Sequence, residues 1–230
     1  MAKVRIIDVH ENVFAENDRI AEEVRTDLAK KGIFMLNVMS SPGSGKTTLL
    51  TAAISMLREE YRIGVMDVDI ESSLDAQRVA DLTGAASLQI HNGGLCHIDA
   101  EMTASAIRQF GTEELDLLFL ENIGNLVCPA EFDTGSHKNM MILSVPEGHD
   151  KPLKYPLMFS ICDLIVISKV DTKDFFSFNE DKAMEYIREL NPKAEILFLS
   201  AKTGEGMDVF CDWIRKNAEQ YHEKRRNQNE

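Results

Sequence analysis

The amino-acid sequence predicts an α/β domain with a mostly parallel, doubly wound sheet that is flanked by helices. Short apolar runs of strand length alternate with longer segments of helical periodicity, as in sheets covered on both faces. A glycine-rich loop joins the first of these apolar runs to the helical segment that follows it. The length of 230 residues suits one sizeable core, so we predict a single domain.

The predicted elements follow one another along the chain without an internal repeat. Residues 1–31 are an extended lead and a helix rich in Glu, Arg and Lys, residues 32–218 the core, and residues 219–230 a polar C-terminal tail. Strands are predicted at 33–39, 62–70, 115–121, 139–145, 163–168 and 195–199, and helices at 47–59, 100–110, 181–190 and 207–218. Residues 145–156 contain three prolines and are predicted to form a mobile or partner-contacting loop.

Charge and composition exclude several classes of partner. The formal net charge of −13 disfavours a nucleic-acid backbone or an anionic membrane, because both are negatively charged. No apolar run reaches membrane-spanning length and the N-terminus lacks a signal-peptide core, so we expect a cytoplasmic protein. In that reducing compartment cysteines pack or bind metal rather than form disulfides. Cys162 and Cys211 lie in apolar runs and are predicted to be core residues.

Residues 41–48, Ser-Pro-Gly-Ser-Gly-Lys-Thr-Thr, indicate a phosphate-binding loop between a buried strand and a helix. Its glycines let successive backbone N–H groups turn toward phosphate oxygens at the helix N-terminus. Lys46 is predicted to reach the β- and γ-phosphates and the Thr47 hydroxyl to ligate Mg²⁺. The general pattern has glycine where this chain has Ser40. The predicted phosphate contacts are Gly43, Ser44, Gly45, Lys46, Thr47 and Thr48, and the fold is predicted to be a P-loop NTPase.

Two later segments predict that the base is guanine rather than adenine. The first, after the strand at 163–168, contains Lys169 and Asp171. An Asp carboxylate there accepts from both N1–H and the exocyclic amine of guanine, whereas adenine offers neither donor in that place. The lysine stem covers one face of the base, and Ser168 stands where such motifs usually have Asn. The second segment is Ser200, Ala201 and Lys202, typical of the loop whose backbone N–H meets guanine O6.

Two acidic residues at predicted strand ends are candidates for Mg²⁺ binding and for orienting the attacking water. Asp69 ends the second predicted strand and Glu121 ends the third. The carboxyl ends of parallel strands meet at one edge of a sheet, so both carboxylates are expected beside the phosphate loop. Together with Lys46 they form the predicted catalytic set. Ordinary strand-end solvation is the alternative for both, and Asp67 lies on the same strand face as Asp69.

Cys96, His97 and Cys128 form a candidate metal site. Cys96 and His97 lie in a glycine-led loop just before a predicted helix, and Cys128 follows the strand at 115–121. Both loops leave the same edge of the predicted sheet, and Cys/His ligands suit Zn²⁺ or Ni²⁺. The dipole of the following helix is expected to favour the Cys96 thiolate. Spacing alone leaves a small buried cysteine as an alternative.

Several blocks together resemble the HypB family of GTPases, which assist nickel insertion during maturation of [NiFe]-hydrogenase. Besides the phosphate loop they lie at 94–100 (Gly-Leu-Cys-His-Ile-Asp-Ala), 121–133 (Glu-Asn-Ile-Gly-Asn-Leu-Val-Cys-Pro-Ala-Glu-Phe-Asp), 147–156 and 200–207. The likeness covers the chain from about residue 5 to residue 217, and the cysteine-bearing blocks are its specific part. Val68 departs from the glycine usual in the family.

The resemblance implies a Mg²⁺-dependent GTPase that forms a GTP-dependent homodimer, with a nickel or zinc site between protomers. It implies that Cys96, His97 and Cys128 are the metal ligands, that Lys46, Thr47, Asp69 and Glu121 hold phosphate and Mg²⁺, and that Asp171 reads the base. It also implies a hydrogenase large subunit and a second nickel metallochaperone as partners. No N-terminal cysteine motif or histidine-rich tract precedes Cys96, so nickel storage is not expected.

We expect nucleotide state to change the separation of the two cysteines, because the loops near the candidate carboxylates run on to them. Turnover is expected to be slow, since no arginine finger is identifiable in the sequence. Lys151 and Lys154, in the irregular stretch, are hypothesised to supply positive charge to the partner protomer's nucleotide.

Three other functions stay open on the sequence. A urease-accessory nickel GTPase is expected to carry Cys-Pro-His, whereas Ala130 follows Cys128 and Pro129 here. An ATP-dependent P-loop kinase conflicts with the guanine-type segments. A P-loop nucleotide- and metal-binding scaffold with little turnover would bind metal without measurable hydrolysis.

Overall fold

Seven parallel strands form the central sheet of the computed structural model, which describes residues 9–68 and 74–228. Among the described residues the strands are β1 (Phe34–Ser40), β2 (Ile63–Val68), β3 (Ala86–Ile90), β4 (Leu117–Gly124), β5 (Lys138–Ser144), β6 (Leu164–Ser168) and β7 (Glu195–Phe198). Their order across the sheet is β3-β2-β4-β1-β5-β6-β7, and every pairing is parallel. The predicted parallel, doubly wound α/β fold is confirmed.

Helices connect the strands and cover both faces of the sheet. The α-helices in the described part are α1 (Val9–Lys31), α2 (Lys46–Leu57), α3 (Leu74–Thr83), α4 (Ala100–Phe110), α5 (Lys151–Lys154), α6 (Pro156–Ser160), α7 (Glu180–Leu190) and α8 (Met207–Gln228). Three-residue 3₁₀ turns lie at Cys128–Ala130 and Val145–Glu147, and a longer one lies at Val170–Phe175.

The two faces of the sheet bury different helices because side chains alternate along each strand. On β1, Phe34, Leu36 and Val38 lie in one core cluster with Leu50 of α2 and Phe210 of α8. The opposite face packs against α1 and α4 towards the β3 edge of the sheet and against α6 and α7 towards the β7 edge. Helices therefore cover both faces of the sheet, and the loops at the carboxyl ends of the strands are where a ligand can bind.

Helix α3 and strand β3 form a unit that the sequence did not predict. β3 is an edge strand of five residues that pairs with β2. Its apolar residues alternate with Ser87 and Gln89, and most of its side chains are half-buried. It therefore lacks the continuous apolar run that marks a central parallel strand.

Strand β4 extends past its predicted end, so the prediction that Glu121 ends a strand was wrong. β4 continues to Gly124, and Glu121 lies inside it. The polar pair Glu121-Asn122 reads as a strand end in sequence, yet both residues are buried. Asn122 is accommodated because its Nδ2 donates to Asn37 Oδ1 at 3.0 Å and its Oδ1 accepts from Ile123 N at 2.9 Å.

The stretch at 145–156, predicted to be irregular, consists mainly of short helical turns. It contains the 3₁₀ turn Val145–Glu147 and helix α5, and it ends at the first residue of α6. A proline lies in the first turn of each of these elements. There its missing N–H has no intrahelical partner to lose, so proline marks the start of a helix rather than the absence of one.

The last helix runs further than predicted, to Gln228 rather than to residue 218. The extension is anchored by aromatic packing, since the Tyr221 ring lies 5.7 Å from Phe34 and 4.2 Å from His137, centroid to centroid. His137 is itself fixed, because its Nδ1 accepts from Met35 N at 3.0 Å. The polar composition of residues 219–228 gave no indication of these long-range contacts, so the helix was predicted to end too early.

Two further sequence predictions concern membranes and cysteines. In the described part of the chain no helix is both long and apolar enough to cross a bilayer. Cys162 and Cys211 are buried core residues, as predicted. Burial raises the pKa of the Cys211 thiol to about 11 and raises that of Cys162 further, so both thiols stay protonated and apolar near neutral pH.

Candidate functional site

The predicted phosphate loop lies between β1 and α2, at the carboxyl edge of the sheet. Gly43 and Gly45 have φ angles of 73° and 101°, in the left-handed region that favours glycine. The Ser44 hydroxyl oxygen is buried and has no hydrogen-bond partner among the described residues. Lys46 Nζ donates to Ser40 Oγ at 3.0 Å, so the serine that replaces the usual glycine gives this lysine a partner beside the loop.

A cavity of about 210 Å³ opens next to the loop, at the ends of β6 and β7. Its lining combines the phosphate loop with both predicted guanine-type segments: Ser44, Gly45, Thr48, Leu49, Ser168, Lys169, Asp171, Thr172, Leu199, Ser200, Ala201 and Lys202. The structure therefore brings together three segments that are up to about 160 residues apart in sequence, where the sequence predicts the base to bind.

Two side chains tie the base segment to the phosphate loop. Ser168 Oγ donates to the carbonyl oxygen of Ser44 at 3.1 Å, and Lys169 Nζ donates to that of Gly43 at 2.8 Å. Lys169 is the only non-glycine residue with positive φ in the described ranges, at 59°. The serine in place of the usual Asn therefore still bridges to the loop through its shorter side chain.

Asp171 is oriented by the second guanine-type segment. Ser200 Oγ donates to Asp171 Oδ1 at 2.7 Å, and Thr203 N donates to Ser200 Oγ at 3.2 Å. The Asp171 side chain is half-buried on the wall of the cavity. This arrangement fixes the carboxylate so that its remaining acceptor capacity is available to two adjacent N–H donors.

The turn after Ser200 contains a glycine whose replacement is expected to destabilise the fold. Gly206 has a φ of 71°, and a Cβ there would lie 2.4 Å from the Phe198 carbonyl oxygen. We expect Gly206→Ala to lower the free energy of unfolding by about 2–4 kcal/mol, through backbone strain and overpacking. Thermal or urea unfolding measures this loss. Gly204→Ala is the matched control, because Gly204 has a φ of 87° but open space at its Cβ, so strain alone costs about 1–2 kcal/mol. Equal losses in the two variants would contradict the predicted contact.

Two buried carboxylates lie on neighbouring strands beside the phosphate loop. Thr47 Oγ1 donates to Glu121 Oε1 at 2.8 Å, which links the first turn of α2 to β4. Asp67 on β2 is in register with Glu121, and the two residues are 4% and 3% exposed. Asp69 lies outside the described residues, so its predicted role stays a prediction. The sequence analysis placed Asp67 only on the same strand face as Asp69, and the pairing register brings it next to Glu121.

The candidate metal ligands are adjacent in the fold. The sulfur atoms of Cys96 and Cys128 lie 2.7 Å apart, and Cys96 is exposed while Cys128 is half-buried. His97 Nδ1 lies 3.8 Å from Cys96 Sγ, and the His97 ring stacks on Phe132 with centroids 3.9 Å apart. Among the described residues no group of three or more His, Cys, Asp or Glu side chains has metal-binding geometry. One chain therefore provides a thiol pair with an imidazole beside it.

The expectation that the Cys96 thiolate is favoured was wrong. The hydrogen bond with Cys128 raises the pKa of Cys96, and burial and the nearby charges of Cys128 and Glu131 act in the same direction. Asp99 is the N-cap of α4 and accepts from Met102 N at 2.8 Å. Cys96 lies before that cap rather than on the first turn.

Comparisons with known proteins show which family the chain resembles. The CobW/HypB/UreG nucleotide-binding domain family matches residues 34–198. The hydrogenase maturation factor HypB of Rhizobium leguminosarum bv. viciae is 43% identical over 218 residues, which cover 95% of this chain and 73% of that protein.

Solved structures give the same result. HypB from Helicobacter pylori in complex with nickel is 36% identical, with a TM-score of 0.84 over 90% of this chain and 97% of that one. HypB from Archaeoglobus fulgidus is 37% identical, with a TM-score of 0.82 over 89% of this chain and 99% of that one. The chain therefore belongs to the HypB family of hydrogenase maturation factors.

Proposed function

We propose that this protein is a cytoplasmic GTP-hydrolysing metallochaperone that binds nickel or zinc and assists nickel insertion into [NiFe]-hydrogenase. The observation that carries the proposal is the position of a phosphate loop, a guanine-type cavity and a thiol pair along one edge of the sheet. Its partners would be a hydrogenase large subunit, a second nickel metallochaperone and a second copy of this chain.

The nucleotide would bind with its base in the cavity and its phosphates on the loop between β1 and α2. Asp171 would accept from N1–H and the amine of guanine, while Ser200 holds the other side of the carboxylate. The Ser44 hydroxyl and Lys46 would contact phosphate oxygens. The buried Ser44 hydroxyl supports this assignment, because a buried polar atom without a protein partner costs free energy unless a ligand satisfies it.

Mg²⁺ fits the oxygen ligands near the phosphate loop. The Thr47 hydroxyl and the Glu121 carboxylate are 2.8 Å apart, and hard oxygen donors of this kind are what Mg²⁺ prefers. Asp69, from sequence, would complete the set. When bound, the ion would neutralise charge on the β- and γ-phosphates. Glu121 would also orient the attacking water, with Lys46 stabilising developing charge on the transferred group.

The cargo metal would be held by the thiols of Cys96 and Cys128, with His97 as a further ligand. Two soft thiolates are half of a four-coordinate nickel or zinc site, so a two-fold homodimer would supply four. The apolar side chains of Leu95 and Val127 beside these cysteines are 43% and 52% exposed. A second copy of the chain would bury them on dimerisation.

The proposal predicts that metal binding depends on both cysteines and on the nucleotide. We expect Ni²⁺ and Zn²⁺ stoichiometry, measured with GDP and with a non-hydrolysable GTP analogue, to change together with dimerisation in sedimentation. The double variant Cys96→Ala/Cys128→Ala is expected to lose at least 100-fold in metal affinity, because the thiolate ligands are gone. Cys211→Ala, which removes a buried thiol from the core cluster that α2 and α8 form with the sheet, is the control. Metal affinity that is unchanged in the double variant, or metal stoichiometry that is the same with GDP and with the GTP analogue, would overturn the proposal.

The hypothesis that Lys151 and Lys154 act on the partner's nucleotide gives a second prediction. Within one chain Lys154 Nζ lies 2.6 Å from Asp150 Oδ2 and is 59% exposed, so it can exchange this partner for another. We expect Lys154→Ala and Lys151→Ala to reduce turnover and GTP-dependent dimerisation by about tenfold, since each removes a positive charge from the phosphates. Lys193→Ala is an exposed-lysine control. Unchanged turnover and unchanged dimerisation in both variants would dispose of this role.

A further inference from the structure

Two asparagine side chains hold the loop that carries Cys96. Asn92 Nδ2 donates to the carbonyl oxygens of Leu95 at 2.8 Å and His97 at 2.9 Å. Asn125 Nδ2 donates to the carbonyl oxygen between them, that of Cys96, at 3.2 Å. Three successive carbonyl groups of the loop are therefore fixed by amide groups.

The loop around Cys96 has few contacts other than these amide hydrogen bonds to hold its conformation. Gly93 and Gly94 have φ angles of 71° and 86° with open space at both Cβ positions, and residues 93–96 are all exposed. A loop of this kind has few packing contacts to hold its conformation. The position of the Cys96 thiol next to Cys128 depends accordingly on the two asparagines.

Asn125 differs from Asn92 because it also belongs to the segment that carries Cys128. Asn125 Oδ1 accepts from Val127 N at 2.9 Å, next to Cys128 in sequence. The same side chain therefore holds the loops of both cysteines, one through each end of its amide group. Asn92, which follows β3, contacts the Cys96 loop alone in the hydrogen bonds described above.

Asn125 also lies next to the phosphate loop. It follows Gly124, the last residue of β4, where a Cβ would lie 3.0 Å from the backbone of Pro42. Four residues earlier on the same strand, Glu121 accepts from Thr47. The end of β4 thus contacts the phosphate loop on one side and the bridging amide on the other.

We propose that Asn125 is a positioning residue that sets the distance between the two thiols and makes that distance respond to the nucleotide. A change in the phosphate loop reaches Asn125 through Gly124 and Glu121, and Asn125 passes it to the Cys96 carbonyl. The inference deepens the proposed function and rests on it for the role of the metal, but the thiol distance can be measured without metal.

The test uses Asn125→Asp in the full chain. The carboxylate still accepts from Val127 N but can no longer donate to the Cys96 carbonyl, so the bridge between the loops is removed. It also adds a negative charge beside the Cys96 loop, and Asn92→Asp adds the same charge to that loop while leaving the Asn125 bridge in place. The readout is the equilibrium in which the two thiols and oxidised glutathione give the protein disulfide and two reduced glutathione molecules. We expect the effective concentration of the thiol pair to fall about fivefold to tenfold. We also expect its difference between GDP and the GTP analogue to disappear.

Three companion variants separate positioning from general damage. Asn92→Asp is expected to lower the effective concentration but keep the nucleotide response, since Asn92 does not follow β4. Asn179→Asp is the matched control, because the carboxylate still caps α7 by accepting from Lys182 N, as Asn179 does at 2.9 Å. Asn125→Ser keeps a short acceptor and replaces the Asp variant if that one does not fold.

The outcomes distinguish the inference from the proposed function. A wild-type effective concentration and nucleotide response in the Asn125 variants would overturn the inference. Equal loss of the response in the Asn92 variant would do the same. Ni²⁺ binding measured in parallel tests the proposed function. If Cys96→Ala/Cys128→Ala binds Ni²⁺ as tightly as wild type while Asn125→Asp loses the nucleotide response of the thiols, the positioning role stands and the metal role fails.

Discussion

Replacing Asp171 by Asn is expected to weaken GDP binding by about 30- to 1000-fold and to shift the base preference toward xanthine. Two hydrogen bonds from guanine to the carboxylate are charge-assisted, and losing one while facing a donor with another costs about 2–4 kcal/mol. An Asn amide instead presents a donor to the carbonyl oxygen that xanthine carries at that position. Competition of GDP and XDP against a fluorescent guanine nucleotide measures both effects.

The control for this substitution is Asp174→Asn, an exposed carboxylate in the same 3₁₀ segment. It removes the same charge without contacting the cavity, so GDP affinity should stay within about twofold. The fold of the main variant is expected to be retained, because the Asn carbonyl can still accept from Ser200 Oγ, as Asp171 Oδ1 does at 2.7 Å. A GDP affinity close to wild type in Asp171→Asn would exclude the cavity as the base site.

Glu121→Gln is expected to lower GTP hydrolysis by about 100-fold or more while leaving the protein folded. The Gln carbonyl can still accept from Thr47 Oγ1, so the link between α2 and β4 survives. The negative charge that would hold Mg²⁺ and orient water is lost, and such a group contributes about 10²–10⁴-fold to a rate. Single-turnover hydrolysis at saturating GTP and Mg²⁺ is the measurement, with thermal unfolding to confirm the fold.

Asp67→Asn is the informative comparison for Glu121, because the two residues face each other in register on β2 and β4 and are equally buried. A larger loss of turnover in Asp67→Asn than in Glu121→Gln would transfer the catalytic role to Asp67. Hydrolysis within about threefold of wild type in both variants would remove the catalytic role from both residues and leave Asp69 as the acidic candidate predicted from the sequence.

The sequence predicted most of the sheet because its central strands are continuous apolar runs, which buried parallel strands require. It failed at β3, where edge exposure mixes Ser87 and Gln89 into the strand. It also stopped β4 three residues early, because Glu121 and Asn122 are polar but buried. Their partners, Thr47 and Asn37, come from distant parts of the chain, so the local pattern could not reveal that they were satisfied.

The candidate site was predictable in its residues and less so in its contacts. The phosphate loop and the guanine-type segments were found from local motifs, and the cavity joins them. The bridges from Ser168 and Lys169 to the loop depend on three-dimensional proximity and were not predicted. The thiolate expectation at Cys96 failed for a related reason, since the second thiol that raises its pKa comes from another loop.

The two bridges between the base segment and the phosphate loop also imply a division of labour inside the pocket. Ser168 and Lys169 hold the base side together through protein groups alone, so its assembly does not depend on the γ-phosphate. We expect GDP and GTP to meet the same base subsite and to differ at the opposite flank, where β2 and β4 end. The base would then be recognised at one end of the nucleotide, and the presence or absence of the γ-phosphate would be sensed at the other.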